Sequence, residues 1–157
     1  MESRGASRIV LAGVTLAFAL ALAAIGPARS ETPKPPFQAH VDMKTFMEHV
    51  LTPAATVIWR VNGSIIDADG EHDLSPKTDA DWERIVTGAA TLAEATNALM
   101  IPERARDRAW SRYAKTLGSA ADQAYRAAEA HDLKAISDVS DRLDGICAAC
   151  HRHYGLE

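Results

Sequence analysis

Near its C-terminus the chain reads CAACHRHYG, residues 147 to 155, and this run holds both of its cysteines. Cys147 and Cys150 stand three apart, His151 follows directly, and His153 lies two further on. On a helix, positions i, i+3 and i+4 share one face, so both sulfurs and the first imidazole project to the same side. One flat ligand can meet all three. Two thiols add to the vinyl groups at one edge of a porphyrin while the neighbouring imidazole coordinates its iron. Cys-x-x-Cys-His is accordingly read as a site of c-type haem attachment.

Two other chemistries use the same residue types. A zinc clip from Cys147, Cys150, His151 and His153 has suitable donors, but structural zinc sites usually take a second ligand pair from a distant segment. On one straight helix these four cannot surround an ion tetrahedrally. A redox dithiol belongs at a helix N-terminus after a strand, whereas this pair ends a helical pattern. The expected cofactor is therefore one covalent haem c, attached at Cys147 and Cys150, with His151 as the proximal iron ligand.

Four amphipathic segments have to position these groups. The first, about 40 to 61, places Met43, Phe46, Met47, Val50, Ala54, Val57 and Val61 at steps of three and four, and Pro53 should kink it. NGSIIDADGEHDLSPK reads as a long acidic loop, without the spacing of a calcium loop. The second segment opens at TDADWE, capped by Thr78 or Asp79, and carries Trp82, Ile85, Val86, Ala89 and Ala93. The third, roughly 103 to 130, carries Trp110, Tyr113, Leu117 and a row of alanines, with Gly118 as a weak point. The fourth runs from a cap at Asp132 to about Tyr154. No window alternates like a strand. The pattern predicts an all-α fold, an antiparallel up-down-up-down four-helix bundle over residues 40–157.

Ahead of it, Arg4 and Arg8 precede an uncharged apolar run from Ile9 to Ile25, then Gly26, Pro27 and small residues at Ala28 and Ser30. Residues 1–30 are expected to be a secretory signal peptide, with an uncleaved inner-membrane anchor as the alternative. Residues 31–39 form a proline-rich extended lead-in. Residues 31–157 together have 14 Lys and Arg against 20 Asp and Glu, a net charge of about −6. That balance disfavours nucleic acid and anionic membrane surfaces and makes a basic or neutral protein the milder expectation for a partner.

A helical bundle closed by CAACHRHY resembles the class II c-type cytochromes, the cytochrome c-prime superfamily, whose motif lies at the extreme C-terminus. The resemblance covers essentially residues 40 to 154, with Tyr154 matching a tyrosine the family tends to carry there. The chain departs from the family at Met43, where an arginine is common, and at Gly155, where a basic residue is common. The resemblance implies a periplasmic electron-transfer protein rather than an enzyme, with redox partner proteins and no stable membrane insertion after signal cleavage. Pairing of two copies as a homodimer is also within the family's range.

In that family one residue of the first helix faces the iron. Methionine there gives a low-spin electron carrier, whereas an apolar residue leaves the iron five-coordinate and open to small gases. Met43, Met47 and His49 are the candidates. Met47 shares the apolar stripe, while His49, about 200° further round, should face solvent. Met47 is expected as the distal iron ligand. The competing readings are a five-coordinate gas-binding haem protein and a haem-free helical module with a Cys/His metal site.

Overall fold

Each helical run begins where a side-chain oxygen captures exposed backbone amides. Asp42 accepts from Thr45 N at 2.7 Å, Asp107 from Trp110 N at 2.8 Å and Asp132 from Ala135 N at 3.0 Å. Thr78 and Asp81 form a reciprocal capping box, with Asp81 N donating to Thr78 at 3.2 Å and Thr78 N donating to Asp81 at 2.8 Å.

This computed structural model describes residues 37 to 156, within one compact unit spanning Pro36–Glu157. The expected signal segment 1–30, residues 31–36 of the lead-in and Glu157 lie outside the described residues. No helix among the described residues is long and apolar enough to cross a membrane.

The protein is mostly helical with a small two-stranded sheet. α1 (Met43–Phe46) passes through a π-helical turn (Met47–Leu51) into α2 (Thr52–Trp59) and a 3-10 turn (Arg60–Asn62). β1 (Ser64–Asp67) and β2 (Gly70–Asp73) follow, then α3 (Asp79–Ala98), α4 (Arg108–Glu129) and α5 (Leu133–Tyr154). α2 packs on α3, α3 on α4, α4 on α5, and α5 back on α2. Their apolar faces meet in one core. Ile58, Leu92, Ile136 and Leu143 are its largest fully buried side chains, whereas α4 contributes mainly alanines such as Ala121, Ala124 and Ala128. These short side chains let α4 lie close to both neighbours. At Gly118 the approach is closest, because a Cβ there would stand 2.8 Å from Thr96 Oγ1.

Three expectations need correction. The acidic stretch after residue 62 contains an antiparallel hairpin in which Ser64 opposes Asp73 and Asp67 opposes Gly70. Both its faces are exposed, Ile66 to 81%, so no burial enforced the alternation by which strands are recognised. The third helix starts at Arg108 rather than near 103, since Asp107 caps it.

The third correction concerns the first helix, whose apolar stripe is not continuous. An α-helix advances about 100° per residue, and the extra residue of a π turn sets everything downstream back by about that angle. Phe46 thereby comes into line with Leu51, Ala54, Ala55, Ile58 and Val61, which form the buried face, while Val50 and Val57 are only half-buried. The turn lies directly before Pro53, whose ring would crowd the carbonyl of His49 and offers it no N–H. Thr52 N donates to Met47 O instead.

Candidate functional site: an apolar cavity between the first and last helices

At one end of the helices the core opens into an apolar cavity that communicates with solvent. α5 contributes Ile146, Cys147, Cys150 and His151 to its wall. The first helix supplies Met47, Leu51, Thr52, Ala55 and Trp59. Leu92 and Leu99 close it from α3, and Trp110, Tyr113, Ala114 and Leu117 from α4. Cys147, Cys150 and His151, joined by spacing in the sequence, thus share one wall, and Met47 lines the same space from another element.

The other expected candidates lie elsewhere. His49 is exposed and borders a separate groove beside Pro53 and Arg84. Met43 is half-buried against the core and does not line the cavity. The π turn explains the preference for Met47. In an unbroken α-helix Met47 would sit about 80° from Ala55 and 120° from Trp59, and the inserted residue reduces both offsets to about 20°.

Arg104 braces the segment just before Met47. This buried guanidinium donates through Nη1 to Ala98 O at 3.1 Å and through Nη2 to Val41 O at 3.0 Å. It also lies 4.2 Å from the centroid of the Phe46 ring. The start of the first helix is therefore tied to the end of α3. At the other end of the first helix, Asn62 Nδ2 donates to Ser137 O at 3.1 Å and to Asp141 Oδ1 at 2.7 Å, which holds it to α5.

The last turn of α5 is held just as firmly. Gly155 ends it with φ 65, the left-handed conformation that a residue with a Cβ adopts at a cost. That requirement accounts for the glycine standing where a basic residue was anticipated. Tyr154 packs edge-on to Trp110, with centroids 5.4 Å apart, and its hydroxyl donates to Asp107 Oδ1 at 2.8 Å.

No protein-family model, curated protein or solved structure matches this chain.

Cys147 and Cys150 are free thiols in the structure. Burial, aided by the charge of Asp144, pushes the Cys147 thiol up to about 11, and burial also raises Cys150 against the pull of Arg106. Both stay protonated at neutral pH, the opposite of the lowered thiol that redox dithiols use. Among the described residues no three His, Cys, Asp or Glu side chains converge as a metal site, so the four-donor clip draws no support. The wall offers instead two neutral thiols, an imidazole and a thioether in a mainly apolar lining.

Trp59 and Tyr113 also line the wall. Trp110 satisfies its indole N–H with Leu99 O at 2.7 Å. Trp59 does not: its Nε1 is buried with no hydrogen-bond partner among the described residues. An orphaned donor on a cavity wall suits a ligand with a polar edge.

Proposed function

We propose that the protein is a periplasmic c-type cytochrome of the class II kind, carrying single electrons on one covalent haem c. The observation that carries the reading is that the Cys147, Cys150 and His151 face and the Met47 thioether line the same apolar cavity. In this reading the helices form an antiparallel up-down-up-down bundle, which the short α4–α5 connection favours.

The residues present fit the group. Cys147 and Cys150 would hold it through thioether bonds, each thiol adding its S–H across a vinyl double bond with nothing expelled. His151 and Met47 would donate to its metal, a pairing suited to iron. Leu51, Ala55, Leu92, Leu99, Ala114 and Leu117 would enclose its apolar faces, and the Trp59 N–H is available to a polar substituent. When bound, such a haem supplies reversible one-electron chemistry at iron. The largely apolar wall would limit water at the donors, and with both His151 and Met47 engaged the group would serve electron transfer rather than substrate binding.

Visible absorption spectra of the protein produced with a haem-attachment system test this reading. We expect low-spin bands in both oxidation states, converting to high-spin on Met47→Ala. High-spin iron in the unaltered protein, with rapid CO binding on reduction, would favour the five-coordinate gas-binding alternative. An unchanged spectrum in Met47→Ala would remove Met47 from the site.

A further inference from the structure

Positive charge on this acidic chain is gathered beside the cavity. Between residues 104 and 115 lie Arg104, Arg106, Arg108, Arg112 and Lys115, with Asp107 as the single carboxylate. Arg104 is buried, and the other four cations are exposed. Asp107 is already engaged by Trp110 N and the Tyr154 hydroxyl. Elsewhere five cations are matched by a carboxylate, Lys44 by Glu48, Lys77 by Asp73, Arg84 by Asp81, Arg126 by Asp122 and Lys134 by Asp138, and Arg142 is held by Asp138 O and Gln123 Oε1. No carboxylate pairs with Arg106, Arg108, Arg112 or Lys115 among the described residues.

This cluster adjoins the cavity wall. Arg106 lies over the rings of Trp110 and Tyr154, 5.2 and 4.9 Å from their centroids, and its charge acts on Cys150. Tyr113, a wall residue between Arg112 and Lys115, has its ring 5.5 Å from that of His153. The opposite sign collects on the hairpin and the start of α3, with Asp67, Asp69, Glu71, Asp73, Asp79, Asp81 and Glu83.

We propose that Arg106, Arg108, Arg112 and Lys115 form a docking face for a partner protein that presents a carboxylate-rich patch. The proposal rests on the electron-carrier reading and reverses the partner chemistry that net charge alone suggests. Screening explains the reversal: at physiological salt charges act over about 8 Å, so a discrete acidic patch meets the local cations and little of the distant carboxylates. An extended anionic membrane meets the whole net charge of about −6 and is repelled. Unpaired cations at a rim speed encounter and fix orientation more than they add to affinity.

Poly-L-glutamate serves as the acidic probe in an NMR titration of the isotope-labelled, haem-loaded protein. Amide shifts should concentrate in residues 104–115 and 150–154 and vanish at high salt. The triple charge reversal Arg106→Glu, Arg108→Glu, Arg112→Glu should weaken binding about tenfold or more. Shifts centred elsewhere, no binding at low salt, or unaltered binding by a folded triple variant would overturn the proposal. Preferential binding to phosphatidylglycerol vesicles through the same residues would overturn it too. As a second readout, oxidation of the reduced protein by the trivalent hexacyanoferrate(III) anion should slow as salt rises, despite the negative net charge. Acceleration with salt would contradict the proposal. Failure of the haem reading shows separately, as a mass without porphyrin, and leaves the polyglutamate map readable.

Discussion

Tyr154 and Trp110 share one acceptor: the tyrosine hydroxyl and the Trp110 backbone N–H both donate to Asp107 Oδ1, each at 2.8 Å. The carboxylate that starts α4 therefore also fixes the last turn of α5, three residues beyond His151. Its two donors hold Asp107 below the usual carboxylate range, the Trp110 amide contributing most. Partial burial first, and the bond to Asp107 second, push the Tyr154 phenol up to about 12.

The sign of the pH effect follows. A group whose folded value is raised stabilises fully below its ordinary value of 10.0 and loses that contribution as pH rises toward about 12. Thermal unfolding between pH 9 and 12 should therefore show a steeper alkaline loss in the unaltered protein than in Tyr154→Phe. The variant should also unfold at a lower temperature near neutrality. Identical curves would mean that the shared acceptor contributes nothing to holding α5.

Pro53 and Met47 are coupled through the π turn. Replacing Pro53 with Ala supplies the N–H that the His49 carbonyl lacks and removes the ring that crowds it. The turn should then relax to regular α-helix and swing Met47 by about 100° relative to Ala55 and Trp59. Pro53→Ala in the haem-loaded protein is expected to gain high-spin character while its helical circular dichroism holds or rises. A spectrum unchanged from the parent would show that Pro53 does not set the direction of Met47.

Gly118 faces Thr96 so closely that adding a methyl group should reverse the usual preference for alanine. In a free helix interior Gly→Ala stabilises by roughly 0.5–1 kcal/mol. Here the new Cβ would meet Thr96 Oγ1 at 2.8 Å, and overpacking of this kind costs about 1–3 kcal/mol. Thr96 is held by its own bond to Ala93 O at 2.7 Å, so it yields poorly. Chemical denaturation should find Gly118→Ala destabilising alone and stabilising in a Thr96→Ala background. The same sign in both backgrounds would refute the contact.

The helices were legible because their signals are local. Asp132 as cap, the capping role of Thr78, and a last helix ending at Tyr154 all stand where side-chain chemistry put them. The shared face of Cys147, Cys150 and His151 follows from helical spacing alone. The π turn was not legible, because a proline signals disturbance without stating whether the chain kinks or inserts a residue. Met47 was therefore grouped with Val50 and Val57 instead of Leu51, Ala55 and Trp59. The hairpin escaped because Ile65 and Ile66 are both exposed, leaving no alternation. The place of Trp59 and Tyr113 on the wall was not legible, because wall and core differ only by the space between helices, which no single helix encodes.

The central claim is that a haem is bonded to Cys147 and Cys150. Intact mass under denaturing conditions, on protein expressed with a haem-attachment system, measures this directly. The account expects the chain mass plus one haem, falling to the bare chain mass when both cysteines are replaced by serine. A bare chain mass for the unaltered protein would contradict it.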